Sequence, residues 1–112
     1  MIVDDDELVV EFMTMVLSFK IPGIDIMTAK NGIDALEKIA KASSEPRVML
    51  VDYAMPAMNG SMLCDAVKSK FPATVVAMMT AREDVPPCNV DAFFKKPFNL
   101  DDITAFIQNH LR

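Results

Sequence analysis

The chain has 112 residues, 52% hydrophobic and 24% charged, a balance that fits one folded domain and excludes a disordered or fibrous segment. Its formal net charge is −5 and its pI about 4.7, with no basic run or face, which argues against direct nucleic-acid binding. The apolar stretches stop well short of the ~20 residues of a membrane span. No basic-then-apolar leader opens the chain, and its two cysteines, Cys64 and Cys88, make no disulfide framework, so the expectation is a reduced, cytoplasmic setting without membrane contact. The ten methionines read as adaptable core filler.

Met1-Ile2-Val3 reads as the end of a strand, stopped by Asp4-Asp5-Asp6-Glu7. A helix is expected over residues 6–19, with Val9, Phe12, Met13, Val16 and Leu17 as its core-facing stripe, ended by Pro22-Gly23. Residues 25–29 form a weaker strand that leads through Asn31-Gly32 into a helix carrying Leu36, Ile39 and Ala40. Val48-Met49-Leu50-Val51 has no polar alternation, as in a strand of a parallel sheet buried on both faces. A loop with Pro56 and Gly60 follows, then a helix over residues 61–70 stopped by Phe71-Pro72.

Residues 74–79 make another buried strand, ending at Thr80. Between Thr80 and Lys96 a helix would complete the alternation. The tandem Pro86-Pro87 cannot sit inside one, so that helix is expected to be short or absent. Phe93-Phe94 is a short fifth strand. The last helix starts after Asn99, a good N-cap, with Asp102 at the capping-box position and Ile103, Phe106, Ile107 and Leu111 on one face. His110 in its last turn suits the helix dipole and carries no assigned chemistry. Five strands alternating with helical segments predict a doubly wound parallel sheet, and in such sheets ligands bind beyond the carboxyl ends of the strands.

Those ends carry the polar chemistry. Asp4 and Asp5 follow the first strand, Asp52 the third, Thr80 the fourth and Lys96 the fifth. Two carboxylates ~4 Å apart repel by about 4 kcal/mol at an effective dielectric of ~20, so three gathered acids need compensation. Oxygen ligands of this kind suit a hard divalent cation, with Mg²⁺ the natural choice. Three carboxylates, one lysine and one Mg²⁺ then sum to zero charge. The arrangement suits phosphoryl transfer, with Asp52 as nucleophile, Thr80 donating its hydroxyl to a phosphoryl oxygen and Lys96 neutralising another.

The ordered set Val3-Asp4-Asp5-Asp6-Glu7, Ala29-Lys30-Asn31-Gly32, Val51-Asp52-Tyr53-Ala54-Met55-Pro56-Ala57-Met58-Asn59-Gly60, Met79-Thr80-Ala81 and Phe94-Lys95-Lys96-Pro97-Phe98 resembles the motif set of two-component response-regulator receiver domains, over essentially the whole chain. The resemblance implies a flavodoxin-like (βα)5 three-layer sandwich with strand order 2-1-3-4-5, forming one receiver domain over residues 1–112. It implies that Asp52 is the phosphoacceptor, and that Asp5, Asp52 and the backbone carbonyl of Ala54 hold Mg²⁺, with Asp4 acting through water. Thr80 and Phe93 match the family's coupled switch pair, and Lys96 opens a Lys-Pro peptide that is usually cis. The implied donor is a histidine kinase or histidine phosphotransfer protein, and the implied output is a downstream protein target. Such a domain catalyses only its own phosphorylation and dephosphorylation. A haloacid-dehalogenase-like phosphatase would need a second Asp two residues after the nucleophile, where Ala54 stands; flavin binding would need a phosphate-cradling loop that is missing. A docking-only domain is disfavoured because every active-site residue type is present.

Overall fold

The structure, a computed structural model, describes residues 1–85 and 88–111. Its elements are β1 (Ile2–Val3), α1 (Glu7–Lys20), β2 (Thr28–Ala29), α2 (Gly32–Lys41), β3 (Val48–Asp52), α3 (Gly60–Lys70), β4 (Val75–Thr80), β5 (Ala92–Lys95) and α4 (Leu100–Leu111). All neighbouring strands pair in parallel, in the order β2-β1-β3-β4-β5. This is the doubly wound, flavodoxin-like sandwich expected from the sequence.

Each face of the sheet buries its own core. One gathers Val3, Met49, Val51 and Val76 with Ala35 and Ile39 of α2 and Leu63, Cys64 and Val67 of α3. The other gathers Ile2, Leu50, Ala77 and Met79 with Met13 and Leu17 of α1 and Ile103 and Ile107 of α4. Every residue of β3 is buried, which accounts for its unbroken apolar run. Methionines 13, 49, 78 and 79 are fully enclosed as core filler, whereas Met15, Met27 and Met62 are exposed, so that expectation holds for only part of the ten.

The four helices of the described residues start at the edge where the strands end, and each start is fixed by a short polar side chain. Asp6 accepts from the amides of Leu8 and Val9, Asn31 from Asp34, Asn59 from Met62, and Asn99 from Asp101. Gly23, at φ +83°, provides the left-handed turn after α1.

Two differences from the sequence reading matter. Phe12 was expected in the core-facing stripe of α1, yet it is 53% exposed while Met13 and Leu17 take the buried positions. With an apolar residue at almost every turn position, periodicity alone does not say which side docks on the sheet. Strand β2 is also shorter than residues 25–29, although the amide of Ile2 still bonds the Met27 carbonyl at 2.9 Å.

The connection from β4 to β5 contains no helix among its described residues, 81–85 and 88–91. Pro86 and Pro87, on which that expectation rested, lie outside the described residues. In place of helix packing, residues 88–91 are strapped to α3 and β4. The Cys64 thiol donates to the Asn89 carbonyl at 2.7 Å, and Val90 packs on the core. The Asp91 carboxylate accepts from the Val76 amide at 2.8 Å and from Lys68 at 2.7 Å. Its own amide donates to the Val76 carbonyl at 2.8 Å. No helix among the described residues is long and apolar enough to cross a membrane.

Candidate functional site

Strand register brings the polar strand-end residues together. Val3 of β1 is paired with Val51 of β3, so the next residues, Asp4 and Asp52, leave the sheet side by side. Asp52 is aligned with Met79 of β4, and Thr80 with Lys95 of β5, which brings Thr80 and Lys96 to the same edge. Asp4, Asp5 and Asp52 each offer a carboxylate oxygen, and these atoms all lie within 4.8 Å of one another. Asp4 and Asp52 are buried and Asp5 is exposed, so the cluster opens to solvent on the Asp5 side.

Lys96 is the counter-charge. Its ammonium lies 3.1 Å from Oδ1 of Asp52 and 3.3 Å from Oδ2 of Asp4. The other oxygen of Asp4 accepts from the amide of Asp6 at 2.9 Å. Burial holds the Asp52 carboxyl above the usual carboxylate range; Lys96 opposes the shift, and the charges of Asp4 and Asp5 reinforce it. Burial alone would lower the Lys96 pKa, but its bonds to Asp52 and Asp4 prevail and hold it above the ordinary lysine value. One lysine faces three carboxylates, leaving a donor set of hard oxygens with two uncompensated negative charges. That chemistry fits a small divalent cation.

The loop after Asp52 is shaped by close approach. Gly60 donates its amide to the Tyr53 carbonyl at 2.8 Å. A Cβ on Gly60 would stand 2.7 Å from the Asp52 carbonyl oxygen and 2.9 Å from Tyr53 Cα, so only glycine lets α3 begin this near the site. Ala54 is exposed on the same loop. The Lys96–Pro97 peptide is cis, as the resemblance implied.

Thr80 is buried, with its hydroxyl oxygen accepting from the Arg82 amide at 3.0 Å. Phe93 is 51% exposed. The two side chains share a cleft of about 390 Å³ with Arg82, Glu83, Val85 and Lys95. The sequence reading missed Arg82, whose guanidinium stacks 5.5 Å from the Tyr53 ring centroid and forks onto Asp84 at 3.0 and 3.1 Å. It also missed the direct contact of Lys96 with Asp4, because residues 92 positions apart carry no local signal of their meeting.

A buried strand-end aspartate, two further acids and a lysine meet on one edge of a 2-1-3-4-5 sheet, the arrangement on which the sequence motifs converge. The family model for the response regulator receiver domain matches residues 1–108, and the chain belongs to that family. It is thus a receiver domain of two-component signalling, a family whose members interact with kinases and downstream effectors.

It is 36% identical to a cyclic di-GMP phosphodiesterase of Thermotoga maritima over 118 residues, covering 100% of this chain and 30% of that protein. It is 31% identical to the response regulator MprA of Mycobacterium ulcerans, covering 100% of this chain and 49% of that protein. The chain therefore spans half or less of these curated relatives. Among solved structures, a response regulator receiver domain protein from Clostridium thermocellum superposes with a TM-score of 0.87 at 19% identity, over 97% of this chain and 90% of that one. At that identity the likeness concerns the fold.

Proposed function

We propose that residues 1–112 form a single receiver domain in which Asp52 accepts a phosphoryl group from the phosphohistidine of a histidine kinase or histidine phosphotransfer protein. The observation that carries this reading is the gathering of three carboxylates within 4.8 Å of one another, two of them paired with one lysine. An oxygen of Asp52 attacks phosphorus, the P–N bond to the donor imidazole breaks, and its electron pair returns to that ring. Lys96, already beside Asp52, neutralises charge on a phosphoryl oxygen, and Thr80 turns its hydroxyl from the Arg82 amide to donate to another.

Asp5, Asp52 and the Ala54 carbonyl would hold Mg²⁺, with Asp4 acting through water. Bound there, the ion would supply the positive charge that lets an anionic nucleophile and an anionic phosphoryl group approach. Thr80 and Phe93 form the switch pair that communicates the modification to a downstream protein. The proposed setting is cytoplasmic, with no direct nucleic-acid or membrane partner. The net charge of −5 disfavours a nucleic-acid backbone as partner.

Incubation with a small acyl phosphate and Mg²⁺, borohydride trapping and mass-spectrometric mapping test the assignment. Label is expected on Asp52 alone and is lost in Asp52→Asn. Label on another aspartate of the wild-type chain, or undiminished label in the variant, overturns it.

A further inference from the structure

The two cysteines of the chain, Cys64 on α3 and Cys88 in the β4–β5 connection, are both free thiols. Cys64 is fully buried, and its thiol donates at 2.7 Å to the carbonyl of Asn89, the residue next to Cys88. Cys88 is half-buried. Its own carbonyl accepts from the Val90 amide at 3.0 Å, a tight turn that folds this stretch down so that Val90 packs on the core cluster containing Cys64. Burial pushes the Cys64 thiol up to about 11; Lys68 opposes the shift, and Cys88 is near enough to add to it. The acidic site uses neither thiol.

We propose that Cys64 and Cys88 are a reversible dithiol–disulfide pair whose oxidation staples the β4–β5 connection to α3. A disulfide needs its Cα atoms ~4.4–6.8 Å apart. Opening the Cys88–Val90 turn and sliding the stretch by one residue, ~3.5 Å of chain, puts Cys88 where Asn89 now stands against Cys64. No helix among the described residues of the connection resists that shift, and Asp91 remains the anchor on Val76 and Lys68. The closed loop contains β4 and Thr80, so oxidation restrains the segment between Thr80 and Phe93. That consequence for signalling rests on the switch pair proposed above; the bond itself does not.

The oxidant is a low-molecular-weight disulfide such as oxidised glutathione. Cys88, the more accessible thiol, loses its proton and attacks one sulfur of the oxidant; the oxidant's S–S bond breaks, and one small thiolate leaves and takes up a proton. The Cys64 thiolate then attacks the Cys88 sulfur of the mixed disulfide. The Cys64–Cys88 bond forms, and the second small thiolate leaves and takes up the proton lost by Cys64. Two cysteine thiols are oxidised, and one small disulfide is reduced to two thiols. While Cys64 stays buried and bonded to Asn89 it is a poor nucleophile, so the second step waits on local opening of the connection. Lys68, one turn further along α3, supplies the positive charge that favours the thiolate.

Exposure of the whole chain to a series of oxidised and reduced glutathione mixtures in native buffer, alkylation of the remaining thiols and peptide mapping without reduction test this. A linked Cys64–Cys88 peptide, a mass lower by two hydrogens and recovery of both thiols with dithiothreitol are expected. Cys88→Ser should leave Cys64 unmodified, and Cys64→Ser should stop at a lasting glutathione adduct on Cys88. Amides of residues 88–90 should exchange about tenfold or more slowly in the oxidised protein than in the reduced one. A wild-type chain that stays reduced, stops at the Cys88 adduct, links Cys88 between two chains or forms the internal bond only in urea overturns the proposal. Unchanged exchange at 88–90 overturns the staple. None of these readouts involves Asp52, so failure here is distinguishable from failure of the phosphoacceptor reading.

Discussion

At the scale of single residues, close approach decides which glycines can be replaced. A Cβ on Gly60 meets backbone, the Asp52 carbonyl oxygen at 2.7 Å and Tyr53 Cα at 2.9 Å, and neither can turn aside. A Cβ on Gly32 meets only the Met58 side chain, its sulfur at 2.6 Å, which has three rotatable bonds with which to move. Overpacking typically costs ~1–3 kcal/mol, so Gly60→Ala is expected at or beyond the upper end and Gly32→Ala near the lower. Urea midpoints of the two variants check the order. Ala57 is the reverse case, a non-glycine residue at φ +66°. Left-handed backbone costs an L-residue ~1–2 kcal/mol, part of which glycine returns through a freer unfolded chain, so Ala57→Gly should stabilise by about 0.5–1 kcal/mol.

Asp52 also sets a pH dependence. Its folded pKa lies above the unfolded value of 3.8, so the folded state holds this proton more tightly. The stability cost is complete above the folded pKa and disappears as pH falls through that value toward 3.8. Asp91 and Asp34 act oppositely. Burial raises the Asp91 pKa, but Lys68 and the Val76 amide outweigh it; for Asp34 the Lys30 amide is the main cause of a lowered pKa. Their contribution is present above 3.8 and lost as pH falls below it through their folded values. In metal-free protein at neutral pH, Asp52→Asn should therefore raise the urea midpoint, and the advantage should shrink as the buffer approaches pH ~4. A lower midpoint at neutral pH would show that the pairing of Asp52 with Lys96 outweighs its burial.

At the scale of elements, the β4–β5 connection divides into two halves of different character. Residues 88–91 are held by the Cys64 thiol, by Lys68 and by two bonds between Asp91 and Val76. Residues 81–85 are mostly exposed and depend on surface ion pairs, Arg82 with Asp84 and Lys95 with Glu83, which contribute little. Hydrogen exchange should find the Val76 and Asp91 amides protected and the amides of 83–85 open in the unmodified protein. Asp91→Ala leaves the Val76 amide without its acceptor and Lys68 without its carboxylate, a loss of about 2 kcal/mol. Equal protection across both halves would contradict the division.

At the scale of the whole molecule, the acidic cluster works against the fold until it is compensated. A cation that binds only the folded state stabilises by about 2.7 kcal/mol at a hundredfold excess over its Kd. For a domain of this size that corresponds to a rise in Tm of roughly 10 °C on adding Mg²⁺. Asp5→Asn should remove most of the rise while leaving the metal-free Tm equal or higher, since Asp5 is exposed and repels its two neighbours. Calorimetry with and without EDTA measures both. An unchanged Mg²⁺ response in Asp5→Asn would take Asp5 out of the metal set.

The sequence by itself determined the alternation of strands and helices, because an apolar run such as Val48-Met49-Leu50-Val51 and a capping Asn59 or Asn99 act over a few neighbouring residues. It also placed Asp4, Asp5, Asp52, Thr80 and Lys96 at the carboxyl ends of strands, since a polar residue closing an apolar run marks where the sheet ends. Tertiary structure decided what depends on residues far apart in the chain. Lys96 reaches Asp4 as well as Asp52 because strand order 2-1-3-4-5 puts β1 next to β3, and no local pattern encodes that adjacency. Asp91 ties β4 to α3 where a helix was expected to be missing, through contacts that composition could not show. The outward turn of Phe12 was fixed only when α1 settled on the sheet. Two apolar sides competed for the core, and the side bearing Met13 and Leu17 fills it, leaving Phe12 in the stripe that faces water.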